Sequence, residues 1–415
     1  MNITRDYNEI KIIGDFDNFP ILLSYIYTAV NKAEFSEIIL NFSECSSAFQ
    51  NAMLSICAQI AAYRKAGIYF TFIPPKDAKL LNLFKNTGWA YFIDPRMFEP
   101  PIYRSYSSRI PVTQYQSPKE QLDAVNKIVN VILGAIPEMQ RSDFAAFEWA
   151  INEITDNVLV HSESPVGGFI QLSTFQKNKK QVQFVVADAG IGIPKTLKQG
   201  HPEIGSDTDA LDRAIREGVT RDKTVGQGNG LFGSYQICSK SGGYFGVHSG
   251  HACLEFSNRK GLSIANENIP YDGTLVIATI DFSNPKLLEE ALSFGGKKYI
   301  PVDYVETNYE MSEDGLIHFI LKVESDSFGS RVAGKPVRNK LANLLRMGGS
   351  QKIIIDLADI ALISSSFADE AFGKLFLEVG AVSFMQKFEF INVMDTVRQL
   401  IDKAITQRLS VGVSD

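Results

Sequence analysis

Two oxygen-bearing side chains, Glu153 and Asn157, stand four residues apart in a stretch with helical periodicity. Apolar residues recur beside them and predict an amphipathic helix over residues 144–161: Phe147, Ile151, Ile154 and Val158. On this helix Glu153 and Asn157 would share one face. An Asn carbonyl can hold Mg²⁺, and a carboxylate one turn away can orient or deprotonate an attacking water or hydroxyl. The same pattern is typical of a solvated helix face, so both interpretations remain open.

A second polar position, Asp188, follows the continuously apolar run 182–187, which predicts a buried strand. Gly190 and Gly192 come next and would let a flat ring approach the backbone. A carboxylate in this place can accept a hydrogen bond from an exocyclic amine such as that of adenine. An ordinary turn after a strand would use the same residue types.

A glycine-rich stretch precedes a predicted helix over residues 232–239. Its members are Gly226, Gln227, Gly228, Asn229, Gly230 and Leu231. Glycines before a helix N-terminus expose backbone N–H groups that can bind phosphates, and the helix dipole adds to the attraction. Flexible loops also use glycine, so the order of the three clusters is the stronger signal.

In that order the clusters resemble the GHKL ATPase superfamily, over roughly residues 119–282. The resemblance implies bound ATP and Mg²⁺, with Glu153 as general base, Asn157 as the Mg²⁺ ligand and Asp188 as the reader of adenine. It implies two glycine boxes at Gly190, Gly192, Gly226, Gly228 and Gly230, with Asn229 and Leu231 also at the nucleotide. Thr274, before a predicted strand over residues 275–280, matches the family threonine whose hydroxyl supports the adenine-binding Asp.

The residues 152–161 look closest to the anti-sigma-factor serine kinase branch of that superfamily, in which Glu and Asn are followed by a His one turn on. That position holds His161, which fits a packing role at a helix end as well as a functional one. The long segment between Pro194 and Val225 corresponds to the family's lid over the phosphates. Its basic residues are candidate phosphate contacts or solvated side chains: Arg216, Arg221 and Lys223.

The flanking segments alternate predicted strands and helices, which indicates small α/β domains. We therefore expect an α/β protein with a central GHKL α/β sandwich (Bergerat-type ATP-binding fold) between two small STAS-like α/β domains. The predicted divisions are 1–98 STAS-like, 99–116 linker, 117–284 GHKL, 285–312 connector and 313–415 STAS-like. A faint repeat supports the pair of flanking modules, because residues 38–45 align without gaps on residues 353–360.

The C-terminal module resembles the fold of anti-sigma-factor antagonists, in which a serine at a strand-to-helix corner accepts phosphate. Ser365 and Ser366 occupy the comparable place, although the antagonist sequence Asp-Ser-Ser-Gly is Ser-Ser-Ser-Phe here. Helix N-capping, with Ser366 as the cap, is the alternative. Residues 329–335 have nearly the spacing of a P-loop, but Pro336 replaces the Mg²⁺-binding hydroxyl, so a plain loop before a helix is expected.

Composition narrows the function classes. The 415 residues carry a net charge of −6, which gives no support for a nucleic-acid or anionic-membrane surface. No apolar run has the length of a transmembrane helix and the start lacks a basic-then-apolar signal, so a cytoplasmic protein is expected. A bacterial source is a separate expectation. The four cysteines lack metal-binding CxxC spacing, and buried reduced thiols are expected.

Three functions fit these features. The first is an ATPase or ATP-driven conformational switch that regulates partner association through the STAS-like domains. The second is a serine kinase of the anti-sigma type that acts on a STAS-like partner or on its own C-terminal domain. The third is a non-catalytic, nucleotide-gated scaffold. A STAS-like or other regulatory protein and a second copy of the chain are the candidate partners.

Overall fold

The computed structural model describes residues 2–107, 109–175, 180–216, 218–219, 230–283, 291, 293–294, 297–298, 304–310 and 314–411. It divides into two compact units. The first contains residues 1–103, 109–125 and 149–299, and the second contains residues 104–108, 126–148 and 300–415. In the part of the chain that is described, no helix is long and apolar enough to cross a bilayer.

The first unit begins with an α/β module built on a four-stranded sheet in the order β1-β2-β3-β4. Strand β1 pairs antiparallel with β2, whereas β2, β3 and β4 are parallel. The elements are β1 Asn2–Asp6, β2 Glu9–Phe16, α1 Phe19–Tyr27, β3 Glu37–Ala48, α2 Gln50–Lys65, β4 Tyr69–Ile73, α3 Ala78–Thr87 and α4 Trp89–Ile93. The sequence does not predict β1, because Ile3 is the one apolar residue of this edge strand and gives little apolar signal.

Helix α2 is the most buried helix of this module. Every residue from Ala52 to Ala61 is buried, including Ser55 and Gln59. A helix that is apolar all round needs partners on all sides. Its partners are the module's own sheet and the sheet of the following domain, and the two share one continuous apolar core.

The second sheet of this unit has five antiparallel strands in the order β5-β6-β7-β9-β8. Its strands are β5 Arg109–Tyr115, β6 Gly168–Phe175, β7 Gln181–Asp188, β8 Tyr244–Ser257 and β9 Gly261–Asp281. The associated helices are α5 Pro118–Ala135, α6 Arg141–His161, α7 Gly192–Gly200, α8 Asp207–Ala214 and α9 Gly230–Lys240. In β7, Val185 and Ala187 belong to the core shared with the first module, and Phe184 and Val186 lie on the opposite, helix-bearing face. Burial of both faces explains the continuous apolar run.

One prediction about this region is wrong. The segment 99–116 was expected to lack regular structure, but its residues 109–115 form β5 at the edge of the sheet. Pro111 hid the strand, since proline weakens any strand signal. An edge strand tolerates proline, particularly at an irregularity, and the pairing with β6 shifts register between Ile110 and Thr113.

The second unit contains a three-stranded parallel sheet in the order β12-β13-β14. After the short strands β10 Ser293–Phe294 and β11 Lys297–Lys298 of the first unit, the elements are α10 Tyr304–Tyr309, β12 Ile317–Ile320, α11 Leu321–Glu324, α12 Arg331–Met347, β13 Ile353–Asp356, α13 Ser365–Ala368, α14 Lys374–Val379, α15 Ala381–Lys387, β14 Phe388–Ile391 and α16 Asp395–Val411. A π-helical turn, Asp369–Gly373, joins α13 to α14. The repeat-related strands β3 and β13 each lie between two parallel neighbours.

Two local predictions in this unit are also wrong. The sequence pattern of residues 317–323 predicts one strand, but the strand ends at Ile320, where the backbone turns into α11. The stretch 329–335 is mostly helix rather than loop, because Ser330 caps α12 by accepting a hydrogen bond from the N–H of Ala333 at 3.3 Å. The sequence also predicts a helix over residues 286–293 of the connector, and most of these residues lie outside the described part of the chain.

Within the second unit, a buried asparagine on α12 joins that helix to the end of α5. The side chain of Asn343 is fully buried, and its Nδ2 donates to the carbonyls of Leu133 at 2.9 Å and Ile136 at 2.8 Å. Its Oδ1 accepts from the N–H of Met139 at 3.1 Å. The last carbonyls of a helix lack partners within the helix, and Asn343 supplies them.

We expect Asn343→Leu to lower the free energy of unfolding by about 2–4 kcal/mol, because two carbonyls and one N–H would be left buried without partners. Chemical denaturation of the full chain would measure this change. Asn86→Leu, on the exposed surface of α3, is the matched control and should change stability by less than about 0.5 kcal/mol. Equal effects of the two substitutions would contradict the role assigned to Asn343.

Candidate nucleotide site

Helix α6 presents Glu153 and Asn157 on one half-buried face. Its orientation is fixed from the opposite side by Thr155, which is fully buried. The Thr155 hydroxyl accepts a hydrogen bond from Gln121 Nε2 at 2.7 Å, and its carbonyl accepts one from Tyr115 Oη at 3.2 Å. Both partners precede α6 in the chain, on α5 and β5. The helix is therefore held so that the predicted base and ligand face away from the core.

The N-terminus of α9 lies directly against these two side chains. A Cβ atom added to Gly230 would overlap Glu153 Oε2 and would lie 3.4 Å from Asn157 Nδ2. The structure therefore brings the end of the second glycine box to the residues of the first polar cluster. Leu231 packs on a small apolar cluster formed by α7, α8 and their connection. Gly226, Gly228 and Asn229 lie outside the described residues.

Asp188 ends β7 with only 1% of its surface exposed. Its Oδ1 accepts a hydrogen bond from the N–H of Gly190 at 2.8 Å. Burial raises the pKa of the Asp188 carboxyl to about 7, although backbone hydrogen bonds from Gly190 and Thr274 act in the opposite direction. A buried acceptor with a pKa near neutrality is unusual for a purely structural aspartate and marks a functional candidate.

Two glycines permit the backbone approaches around Asp188. A Cβ atom on Gly190 would overlap the carbonyl oxygen of Ser162, the residue that follows α6. Gly273 has φ +106°, and a Cβ atom there would overlap the carbonyl of Asp188. The segment after β7 is thereby packed between the end of α6 and the turn before Thr274.

Ser249 on β8 is a member of this site that the sequence analysis missed. Its hydroxyl donates to the carbonyl of Gly273 at 2.7 Å and accepts from the N–H of Ile193 at 2.9 Å. Ser249 therefore links the turn at Gly273 to the segment that follows β7. The sequence does contain a signal. Phe245, Val247 and Ser249 alternate along the strand and share one buried face, so Ser249 is a polar residue in an apolar pattern. The Thr274 hydroxyl lies 3.4 Å from Ser249 Oγ, while the contact with the Asp188 carboxylate comes from the Thr274 backbone N–H.

The Glu153 carboxyl is tuned in the direction that suits a base. Burial, and secondarily the negative charge of Asp156, raise the pKa of Glu153 above its usual range. A carboxylate of higher pKa accepts a proton more readily at neutral pH. His161 is the half-buried last residue of α6, and its carbonyl accepts a hydrogen bond from Thr196 at 3.2 Å.

The described part of the lid consists of α7 and α8. Asp207 at the start of α8 accepts hydrogen bonds from Lys198 Nζ at 3.0 Å and from the N–H of His251 at 2.9 Å, which ties the lid helices to β8. Of the three predicted phosphate contacts, Arg216 is exposed and pairs with Asp212. Arg221 and Lys223 lie outside the described residues.

The two serines predicted in the second unit lie at the start of α13. Ser365 is exposed, Ser366 is half-buried, and the N-cap is their neighbour Ser364, which accepts from the N–H of Phe367 at 3.0 Å. The prediction of Ser366 as the cap is therefore wrong by two positions. Since Ser364 satisfies the helix end, the capping role does not occupy Ser365.

Two segments of the chain match known family models. Residues 143–284 match the model described as histidine kinase-, DNA gyrase B- and HSP90-like ATPase. This part of the chain is a GHKL ATPase domain. Residues 333–398 match a STAS-like domain of unknown function (DUF4325). No curated protein matches the chain.

Among solved structures, the histidine kinase domain of the blue-light activated histidine kinase from Erythrobacter litoralis EL346 is similar at 19% identity. The match covers 40% of this chain and 66% of that chain, with a TM-score of 0.21. The assignment of the GHKL domain rests on the family model.

We expect Asp188→Asn to weaken adenine nucleotide binding about 10- to 100-fold, because the predicted acceptor for the adenine amine is replaced.

The nucleotide-free Asp188→Asn variant should be more stable than the wild type at about pH 8.5, since the buried carboxylate is disfavoured by up to about 4 kcal/mol when its pKa rises from 3.8 to about 7. Because the pKa of Asp188 is raised in the folded state, the wild type loses stability as the pH rises. The difference in stability between the variant and the wild type should therefore shrink toward pH ~5. Melting curves across this pH range would measure it. A pH-independent difference would contradict the buried-charge interpretation.

Proposed function

We propose that this protein binds Mg-ATP and acts as an ATPase or ATP-dependent conformational switch that regulates partner association through its STAS-like domains. The observation that supports this most is the contact of Gly230 with Glu153 and Asn157. It brings a carboxylate of raised pKa and an amide ligand to the N-terminus of α9. Phosphates are attracted to such a helix end by its free N–H groups and its dipole.

The donor set fits Mg²⁺. Asn157 offers a hard carbonyl oxygen on a half-buried face, which suits an ion that keeps several waters and binds phosphate oxygens. Bound Mg²⁺ would neutralise phosphate charge. Glu153, one turn earlier, would orient the attacking group and take its proton, and Asp188 would accept the hydrogen bond of the adenine amine.

Contacts between the N-terminal module and the adenine side of the site support a switch. Gln59 of α2 donates a hydrogen bond to the carbonyl of Asp272, next to Gly273 and Thr274. Tyr271 contacts both sides, because its hydroxyl donates to the carbonyl of Asp188 at 3.2 Å and its ring packs edge-on against Phe19 of α1 at 5.8 Å. A nucleotide that moves Asp188 would therefore change the surroundings of α1 and α2.

The exposure of Ser365 favours a second candidate, the serine kinase of the anti-sigma type. The hydroxyl is accessible in the first turn of α13, where a phosphate would be stabilised by the helix dipole. The phosphoacceptor could be this serine or its counterpart in a STAS-like partner. Water and a serine hydroxyl need the same base and the same metal, so Glu153 and Asn157 serve either reaction.

We expect Glu153→Gln to reduce phosphate transfer from γ-labelled ATP by about 10²- to 10⁴-fold while nucleotide binding persists, because the base is lost and the pocket is kept. Free phosphate and label on the chain are both followed. Glu99→Gln, an exposed carboxylate in the first unit, is the matched control and should be fully active.

The same assay separates the three functions. Phosphate release from an unlabelled chain establishes the ATPase. Label that disappears in Ser365→Ala but persists in Ser366→Ala establishes autophosphorylation at the exposed serine. Nucleotide binding without phosphate transfer, to water or to an added STAS-like protein, would contradict both enzymes and leave the nucleotide-gated scaffold.

We expect Gln59→Leu to weaken ATP binding about 5- to 10-fold, because the turn that holds Asp188 loses its contact with α2. Gln50→Leu is the matched control: Gln50 also lies on α2 and donates to a backbone carbonyl, that of Gln171 at 2.8 Å, but on β6, away from Asp188. Calorimetric titration with ATP would compare the variants. Equal losses in both would show that the N-terminal module acts only through general stability.

A further inference from the structure

Three potential metal-binding side chains gather on β8, on the face of the strand opposite Ser249. One donor atom of each lies within 4.8 Å of the others: His248, Cys253 and Glu255. Phe245 of the same strand packs on Tyr235 of α9, whereas Tyr244 packs on the core shared with the N-terminal module. Because successive side chains of a strand point to opposite faces, His248 is on the face of Tyr244, opposite α9.

A bulge brings the cluster together. In a regular strand His248 and Cys253, five residues apart, would point to opposite faces. The pairing of β8 with β9 shifts register on both sides of Gly250, which has φ +58°. Such a bulge inserts a residue and reverses the alternation beyond it, so that Cys253 and Glu255 return to the face of His248.

The distance between two of the donors is close to that of tetrahedral coordination. Cys253 Sγ lies 3.7 Å from His248 Nε2. For a zinc ion with a Zn–S bond of about 2.3 Å and a Zn–N bond of about 2.0 Å, tetrahedral angles put these two atoms about 3.5 Å apart. The ion would need little movement of either side chain.

Neighbouring groups hold the donors as outer partners of metal ligands do. His248 Nδ1 lies 3.3 Å from Glu267 Oε2 on β9, a contact that reserves Nε2 for the cluster. Tyr244 Oη donates to Glu255 Oε1 at 2.8 Å. The His248 side chain is only 12% exposed, with the ring of Phe19 edge-on at 5.3 Å.

We infer that His248, Cys253 and Glu255 bind one divalent transition-metal ion of the Zn²⁺ type, with Glu267 as a positioning residue and a fourth coordination position open to water. Thiolate and imidazole select Zn²⁺ over Mg²⁺, so this site differs in chemistry from the one at Asn157. The ion displaces the thiol proton of Cys253, which passes to solvent as the metal–sulfur bond forms. Through Phe19 the site also borders the N-terminal module.

The test uses the untagged full chain, stripped of metal with a chelator and titrated with Co²⁺. We expect one equivalent to produce a thiolate-to-cobalt charge-transfer band in the near ultraviolet, and one equivalent of Zn²⁺ to remove it. Cys253→Ser should abolish the band and weaken Zn²⁺ binding at least tenfold. Cys45→Ser is the matched control, since Cys45 is a buried thiol whose Sγ donates to the carbonyl of Ser47 at 3.1 Å, and it should keep the band.

A second variant separates positioning from ligation. Glu267→Gln should weaken Zn²⁺ binding about 10- to 100-fold while the charge-transfer band remains, because the thiolate is untouched. Absence of the band from the wild type would overturn the proposal whatever the variants do. Its persistence in Cys253→Ser, with circular dichroism confirming the fold, would overturn the assignment to this cluster.

Discussion

The nucleotide site depends on the burial of one carboxylate. An ionised group out of water is disfavoured unless hydrogen bonds replace its hydration. At Asp188 the replacement comes from the backbone N–H groups of Gly190 and Thr274, yet burial still raises the pKa of the carboxyl to about 7. The glycines have a separate cause: a Cβ atom would overlap the carbonyl of Ser162 at Gly190 and the carbonyl of Asp188 at Gly273. A bound adenine amine would add a further hydrogen bond to the buried carboxylate.

The N-terminal module packs on the GHKL sheet, on the face opposite the GHKL helices. Helix α2 lies between two sheets, and its buried polar side chains satisfy carbonyls of the GHKL sheet instead of facing water. Trp89 adds a hydrogen bond from Nε1 to Gln171 Oε1 at 3.0 Å. Buried polar pairs of this kind fix one docking geometry, because any other leaves the groups unpaired. The turn at Asp272, next to Gly273 and Thr274, is thus held by a residue from outside the GHKL domain.

The sequence predicted the site residues whose polar side chains are unusual where they stand. Glu153, Asn157 and Asp188 stood out because polar groups interrupt apolar patterns, and the strands and helices that carry them were located to within a few residues. β5 was missed because Pro111 suppresses a strand signal that edge pairing can restore. Ser249 was missed because one serine in a strand carries little information without its partners, Gly273 and Ile193. The docking of α2 was not predicted, although its apolar character on every side required a second partner.

The two α/β modules differ at the corner between their central strand and the following helix. After β3 the corner residue is Gln50, which is buried and hydrogen-bonded to β6. Its side chain is therefore part of the contact between the N-terminal module and the GHKL sheet. After β13 the corner carries Ser365, which is exposed. A buried amide offers no hydroxyl for modification and no surface for a partner, whereas an exposed serine at a helix N-terminus offers both. The N-terminal module is thus attached to the GHKL sheet at this corner, whereas the same corner of the C-terminal module presents its serine hydroxyl to solvent.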